Sequence, residues 1–138
     1  MTGYSVRSCY RALAISAAVS FLLFFIWIVA IADKGDGTPW WSFIDRIPAG
    51  DKLGHLCLIG TMSFLCNLAF PSRKLRFVTM TTLVLLLALT LEELSQGFIK
   101  TSHLDLFDWL ADLAGLAAGQ IGSEKFRHFL KSRATTAP

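Results

Sequence analysis

Three aspartates and three glycines in the last third of this 138-residue chain are spaced so that they would share one face of a helix. They recur at steps of three or four residues, which places side chains on a single stripe. The six residues are Asp105, Asp108, Asp112, Gly115, Gly119 and Gly122. The carboxylates could accept hydrogen bonds from hydroxyls and amines or ligate a hard cation. The glycines would let a neighbouring helix approach closely.

The segment that carries this stripe, residues 104–122, is otherwise rich in Leu, Phe, Trp, Ala and Ile. Such a composition predicts a helix that lies in lipid. A carboxylate at membrane depth costs about 2.5–3.5 kcal/mol on insertion scales, so we expect the aspartates to face a bundle interior or a water-filled vestibule. The stripe therefore indicates a site.

Three further segments, residues 12–32, 53–70 and 77–94, are long and apolar enough to cross a bilayer, which takes about 20 residues. The whole chain is 54% hydrophobic, with a mean hydropathy of +0.53. We therefore predict an all-α integral membrane four-helix bundle. It would form one domain, residues 12–122, between a short N-terminus, 1–11, and a basic tail, 123–138.

The first span has an alternative interpretation as a secretory signal peptide. Arg7 and Arg11 precede it, and Ala30 to Ala32 resembles a small-residue cleavage site. Its apolar stretch is longer than the 7–15 residues typical of a signal peptide, which favours a retained anchor. Cleavage would leave three spans.

The distribution of basic residues predicts the orientation, because cytoplasmic loops accumulate Lys and Arg. Nine of the thirteen fall at the N-terminus, between spans two and three, or in the tail: Arg7, Arg11, Arg73, Lys74, Arg76, Lys125, Arg127, Lys131 and Arg133. With four spans these regions share one side, so both termini are predicted to be cytoplasmic. The formal charge of +3 is then a topology signal, and we expect no nucleic-acid partner.

This topology brings polar groups of three spans to one level near the outer surface. Asp51, Lys52 and His55 open span two, and Glu92, Glu93 and Gln96 close span three, level with the aspartates of span four. Six acids in a poorly hydrated pocket cannot all be ionised without mutual repulsion raising some of their pKa values. Lys52, His55, a cation or protons must compensate.

These residues together resemble the VanZ-like family of small bacterial membrane proteins. The resemblance covers residues 51–122 and rests on three groups: Asp51-Lys52-x-x-His55, then Glu92 with Gln96, then Asp108 followed by Asp112 and Gly115. It implies a multi-pass protein of the bacterial cytoplasmic membrane with a role in the cell envelope. The family is named for a protein associated with tolerance to the glycopeptide teicoplanin, and its relatives are often linked to the envelope or exopolysaccharides.

The leading functional hypothesis is an accessory membrane protein without a required cofactor. Its outward polar pocket would bind a lipid headgroup, a lipid-linked carbohydrate or a glycopeptide antibiotic, with membrane lipids as its surroundings. A second hypothesis is a divalent cation held by Glu92, Asp108 and Asp112 with His55 as base, in a hydrolase or phosphotransferase acting on a lipid carrier. A third, transport of protons or solutes, would need an oligomer. The sequence leaves the ligand, the metal and the oligomeric state open.

Reporter fusions test the orientation. Nine basic residues are predicted on one side of the membrane. A reporter that works only in the cytoplasm should therefore be active when fused after Pro138, and a reporter that works only in the periplasm should be active when inserted in residues 33–52. The reverse pattern would move the acidic cluster to the cytoplasmic side.

Overall fold

The computed structural model describes residues 3–34, 50–99 and 106–135. These form four α-helices, α1 (Gly3–Lys34), α2 (Gly50–Ala69), α3 (Met80–Ile99) and α4 (Leu106–Thr135). A short antiparallel hairpin, β1 (Lys74–Leu75) with β2 (Val78–Thr79), lies between α2 and α3. The prediction of an all-α chain with four helices is confirmed.

The helices differ from the predicted spans at several boundaries, including the start of α3 and the end of α4. The third predicted span began at residue 77, but Phe77 and Val78 belong to the hairpin and α3 begins at Met80. These apolar residues are indistinguishable by composition from the start of a span. The last predicted span ended at 122, yet α4 continues to Thr135, because no proline or other strong helix breaker follows Gly122 before that point.

By length and apolar composition, α1 and α2 could each cross a membrane, over Cys9–Ile31 and Lys52–Ala69. The apolar part of α3, Met80–Glu92, is shorter. In α4 the apolar run is interrupted by Asp108, Asp112 and Gln120.

Polar side chains share the interior with a small apolar core that includes Ile59, Met62 and Leu116. The largest fully buried side chains among the described residues are polar: Asn67, Thr79, Ser63 and Ser123. Large apolar side chains are exposed on all four helices, among them Leu23, Leu53, Val84 and Phe107. So much exposed apolar surface is unfavourable in water and suits a lipid environment.

The most extensive helix contact joins α2 and α4. Helix α1 packs on α2, and α3 makes lighter contacts with α2 and α4. Lys52 meets Asp108 near the start of the two helices, and the rings of Phe64 and Phe126 lie 6.0 Å apart further along. The two helices therefore run parallel. Parallel packing is the arrangement expected when α3 returns the chain between them.

Glycines allow the backbones of α2 and α4 to touch. A Cβ on Gly115 would lie 2.9 Å from the Leu56 carbonyl oxygen and 3.0 Å from the Gly60 nitrogen. A Cβ on Gly119 would collide with the Gly60 carbonyl oxygen. At Gly122 it would make only an ordinary contact, 3.4 Å from the ring of Phe64. The three glycines predicted as a packing stripe are thus not equivalent.

Alanine substitutions should separate these glycines. Gly119→Ala should destabilise the protein by about 1–3 kcal/mol, because the collision is with backbone that cannot move aside. Gly122→Ala should be neutral or slightly stabilising, since alanine is the better helix former. Thermal unfolding in detergent measures both, and equal melting temperatures would contradict this packing.

Candidate functional site

Two side-chain contacts, Lys52 with Asp108 and His55 with Asp112, connect the beginnings of α2 and α4. Lys52 Nζ lies 3.2 Å from Asp108 Oδ1, and His55 Nδ1 lies 3.1 Å from Asp112 Oδ1. Residues three or four apart share a helix face, so each helix presents both of its members to the other. Since α2 and α4 run parallel, the pairs lie at one end of the helix pair. We call these four residues the paired-charge site.

The two pairs differ in burial. Asp112 is only 8% exposed, so its carboxylate needs a donor, and His55 provides a ring nitrogen. In the other pair, the Lys52 side chain is 32% exposed and that of Asp108 is 23% exposed. The His55 side chain is 44% exposed. Lys52, Asp108 and His55 therefore meet the surface, while Asp112 forms the floor of the site.

This arrangement offers donors and acceptors side by side. An ammonium has three donor hydrogens, and a carboxylate has about four lone-pair positions, so each group can take part in more than one hydrogen bond. A ligand with both hydrogen-bond donors and an anionic or hydroxyl oxygen would complement the Lys52–Asp108 pair.

The other predicted site residues are placed less closely. Glu92 is partly buried on α3. Asp105 lies outside the described residues, and so do the side chains of Asp51, Glu93 and Gln96. Helical rise gives the level of Glu92: it lies about 20 Å along α3 from Thr79, and Asp108 lies about 18 Å along α4 from Gln120. Thr79 and Gln120 are hydrogen-bonded to each other, so Glu92 and Asp108 are at a similar height.

The predicted metal candidates were His55, Glu92, Asp108 and Asp112. Among the side chains that the structure describes, which exclude those of Asp51 and Glu93, no three of His, Cys, Asp or Glu are arranged to hold a metal ion. Two of the four candidates, His55 and Asp112, contact each other. Asp108 contacts Lys52 instead.

An open groove of about 300 Å³ follows the paired-charge site along the same helix pair. Its lining is mostly apolar and consists of Leu56, Cys57, Gly60, Thr61, Phe64, Ala118 and Gly119. Lys52, Leu56 and Gly60 form an i, i+4 row on α2, so the groove begins about 6 Å from the lysine position.

A buried polar cluster at the opposite end joins α2 to the start of α3. The Asn67 amide donates to Thr82 Oγ1 at 2.9 Å, and Thr79 Oγ1 donates to Asn67 Oδ1 at 2.6 Å. Asn67 is visible in the sequence as a polar residue within an apolar span. Its threonine partners cannot be recognised from the sequence, because threonines in an apolar segment carry no comparable signal.

Gln120 fixes the hairpin to α4. Its Oε1 accepts from the backbone nitrogen of Thr79 at 3.1 Å, and its Nε2 donates to the Phe77 carbonyl at 2.7 Å. One amide side chain thus bonds alternate residues of the strand edge, as a neighbouring strand would. Lys74 adds an ion pair with Glu124 at 2.7 Å.

The Lys74 ammonium holds the pKa of the Glu124 carboxyl below its ordinary value, mainly through this hydrogen bond. The Gln120 amide and the charges of Lys74 and Arg127 act in the same direction, and burial opposes them. The ionised form of Glu124 is therefore stabilised at the end of α4 that carries most of its basic residues.

No protein-family model, curated protein or solved structure matches this chain. Its function is therefore inferred from the site itself.

The Lys74–Glu124 pair should make stability depend on pH in a defined direction. Because the folded pKa of Glu124 is lowered, the contribution is complete above the unfolded pKa, about 4.3, and is lost as pH falls through the folded value. Wild type should melt above Glu124→Gln near pH 7, and the difference should vanish near pH 3. Lys125→Gln is the control for altered net charge, and a pH-independent difference for Glu124→Gln would contradict the pairing.

Proposed function

We propose that this chain is a VanZ-like, four-span protein of the bacterial cytoplasmic membrane that binds an envelope amphiphile without catalysing a reaction on it. The polar part of the ligand, a lipid headgroup or a lipid-linked sugar, contacts the paired-charge site near the outer surface. Its hydrocarbon chain lies in the adjacent groove between α2 and α4.

The observation that carries this proposal is the continuity of the two features. The Lys52–Asp108 pair is partly exposed at one end of the parallel helices, and the apolar groove begins one turn further along. An amphiphile has the same division into a polar end and an apolar chain. A glycopeptide that arrives from water would use the polar end only.

The four-span topology draws support from the satisfied polar groups of α4. Asp108, Asp112 and Gln120 interrupt its apolar run, but each has a partner on α2 or the hairpin. Pairing of this kind lowers the cost of carrying polar residues at membrane depth. The parallel direction of α2 and α4 agrees with a third crossing by α3.

Binding is favoured over metal-dependent catalysis because the acids already have compensating partners. Lys52 and His55 each place a nitrogen within 3.2 Å of an aspartate oxygen, so Asp108 and Asp112 each have a hydrogen-bonding partner on α2 without a divalent cation. The metal-dependent alternative would need Asp108 to leave Lys52 and join Glu92.

A binding measurement in nanodiscs tests the proposal. Lys52→Gln and Asp108→Asn should each weaken binding of an isoprenyl-diphosphate-linked disaccharide about tenfold or more, because each removes a charge-assisted hydrogen bond. Arg11→Gln, which removes a positive charge from an exposed position on α1, is the matched control and should bind as wild type does.

A third variant tests the groove. Gly60→Ala is unsuitable, because it would add a methyl group against the backbone of Gly115, 3.4 Å from its carbonyl oxygen, and would change helix packing as well as ligand contact. Thr61→Phe fills the groove from an exposed position. It should weaken binding of the lipid-linked probe but leave binding of a water-soluble disaccharide unchanged. Unchanged affinity in Lys52→Gln, Asp108→Asn and Thr61→Phe would refute the proposed site.

A further inference from the structure

The β-hairpin presents apolar side chains to the surroundings, although it is held firmly from behind. Phe77 is 82% exposed and Leu75 is 66% exposed. Phe77 is more exposed than any other large apolar side chain in the described part of the chain. An exposed leucine and an exposed aromatic, separated by Arg76 in one hairpin, need a physical explanation.

The hairpin is rigidly attached. Gln120 bonds the backbone of Phe77 and Thr79, and the Met80 nitrogen donates to the Arg73 carbonyl at 3.1 Å. Arg76 has a φ of 64°, in the left-handed region that a side chain disfavours. The exposure of Phe77 is therefore built into the fold, since several buried bonds hold the strand that follows it.

Positive charge surrounds the exposed pair. Arg73, Lys74 and Arg76 lie in or beside the hairpin, and α4 adds Lys125 and Arg127 next to Glu124. Glu124 is the single acid between residues 113 and 138, and it is bonded to Lys74. This bond brings the Lys125–Arg127 turn of α4 against the hairpin, so these five cations belong to one surface. We call it the basic hairpin surface.

We infer that the basic hairpin surface binds the phosphate headgroups of anionic phospholipids. Arg73, Arg76 and the adjacent cations of α4 contact phosphate oxygens, while Phe77 and Leu75 enter the boundary between headgroups and acyl chains. Apolar residues between cations are the pattern of an interfacial membrane contact, which gains from burial and from attraction to anionic lipids. An acidic protein would use the charges but would leave the exposed Phe77 unexplained.

This site is separate from the paired-charge site. Asp108 and Glu124 are sixteen positions apart on α4, about 24 Å at the helical rise. The two ligand sites can therefore be tested independently, and loss of one leaves the other intact.

Arg76 offers a variant that removes charge without damaging the turn. Glycine adopts positive φ at no steric cost, and two-residue hairpin loops that begin with a left-handed residue favour it. Arg76→Gly should therefore fold at least as well as wild type. Combined with Arg73→Gln, it removes two cations from the proposed phosphate contact.

The experiment titrates the purified full chain in detergent with phosphatidylglycerol or phosphatidylcholine and follows the melting temperature. Wild type should show a larger shift with phosphatidylglycerol, and the excess should shrink as salt is raised. Arg73→Gln/Arg76→Gly should weaken the apparent affinity for phosphatidylglycerol about tenfold or more. Phe77→Ser should weaken binding of both lipids severalfold.

Arg133→Gln is the matched control, because Arg133 lies about 14 Å beyond Glu124, further than charge acts through physiological salt. It should bind within about twofold of wild type. Equal shifts with both lipids, or an unchanged double variant, would overturn the inference. An equal, saturable shift with a poly-glutamate peptide that Phe77→Ser does not alter would assign the surface to an acidic protein instead. If the double variant melts at a lower temperature than wild type without lipid, the test rests on Phe77→Ser, because the Phe77 side chain is 82% exposed.

Discussion

Backbone contact between α2 and α4 is the constraint on which the rest of the structure depends. Gly115 and Gly119 bring α4 so close that a methyl group at either position would meet the backbone of α2. The contact is reinforced where Ser63 Oγ donates to the Leu116 carbonyl at 2.8 Å. Contact at this distance fixes both the register and the rotation of the helices. A register change of one residue would turn the facing side chains by about 100° and separate the charged pairs.

The same close packing explains how polar residues can occupy the interior. Large apolar side chains are not needed to fill the space between helices that already touch, so Ser, Thr, Asn and Gln remain there and bond one another. Among the described side chains, every buried nitrogen or oxygen has a hydrogen-bond partner. In lipid an unsatisfied polar group would cost several kcal/mol, so complete pairing is what allows these polar side chains to lie in the interior.

The helix pair carries different electrostatics at its two ends. At one end, lysine and histidine of α2 meet aspartates of α4, and the groove follows. At the other end, cations of the hairpin and α4 dominate, with Glu124 joining them through Lys74. Balanced charge suits recognition of a polar ligand by hydrogen bonds. An excess of cations suits a surface of phosphate groups. A single rigid pair thus supports two proposed contacts with lipid at opposite heights.

The sequence alone determined the helical class and the number of helices, because these depend on composition and on a spacing of three or four residues. The same spacing predicted which polar residues share a helix face. It indicated Asp108 and Asp112 for this reason. Only the tertiary structure decided their partners, Lys52 and His55, since partners more than fifty residues away depend on helix direction and register. Tertiary contacts also showed that Gly119 is at the closest approach of the two helices whereas Gly122 is not, and they revealed the hairpin. Local spacing does not record which residue of a stripe lies at the closest approach, or that an apolar segment such as Phe77–Val78 is bonded by a distant glutamine.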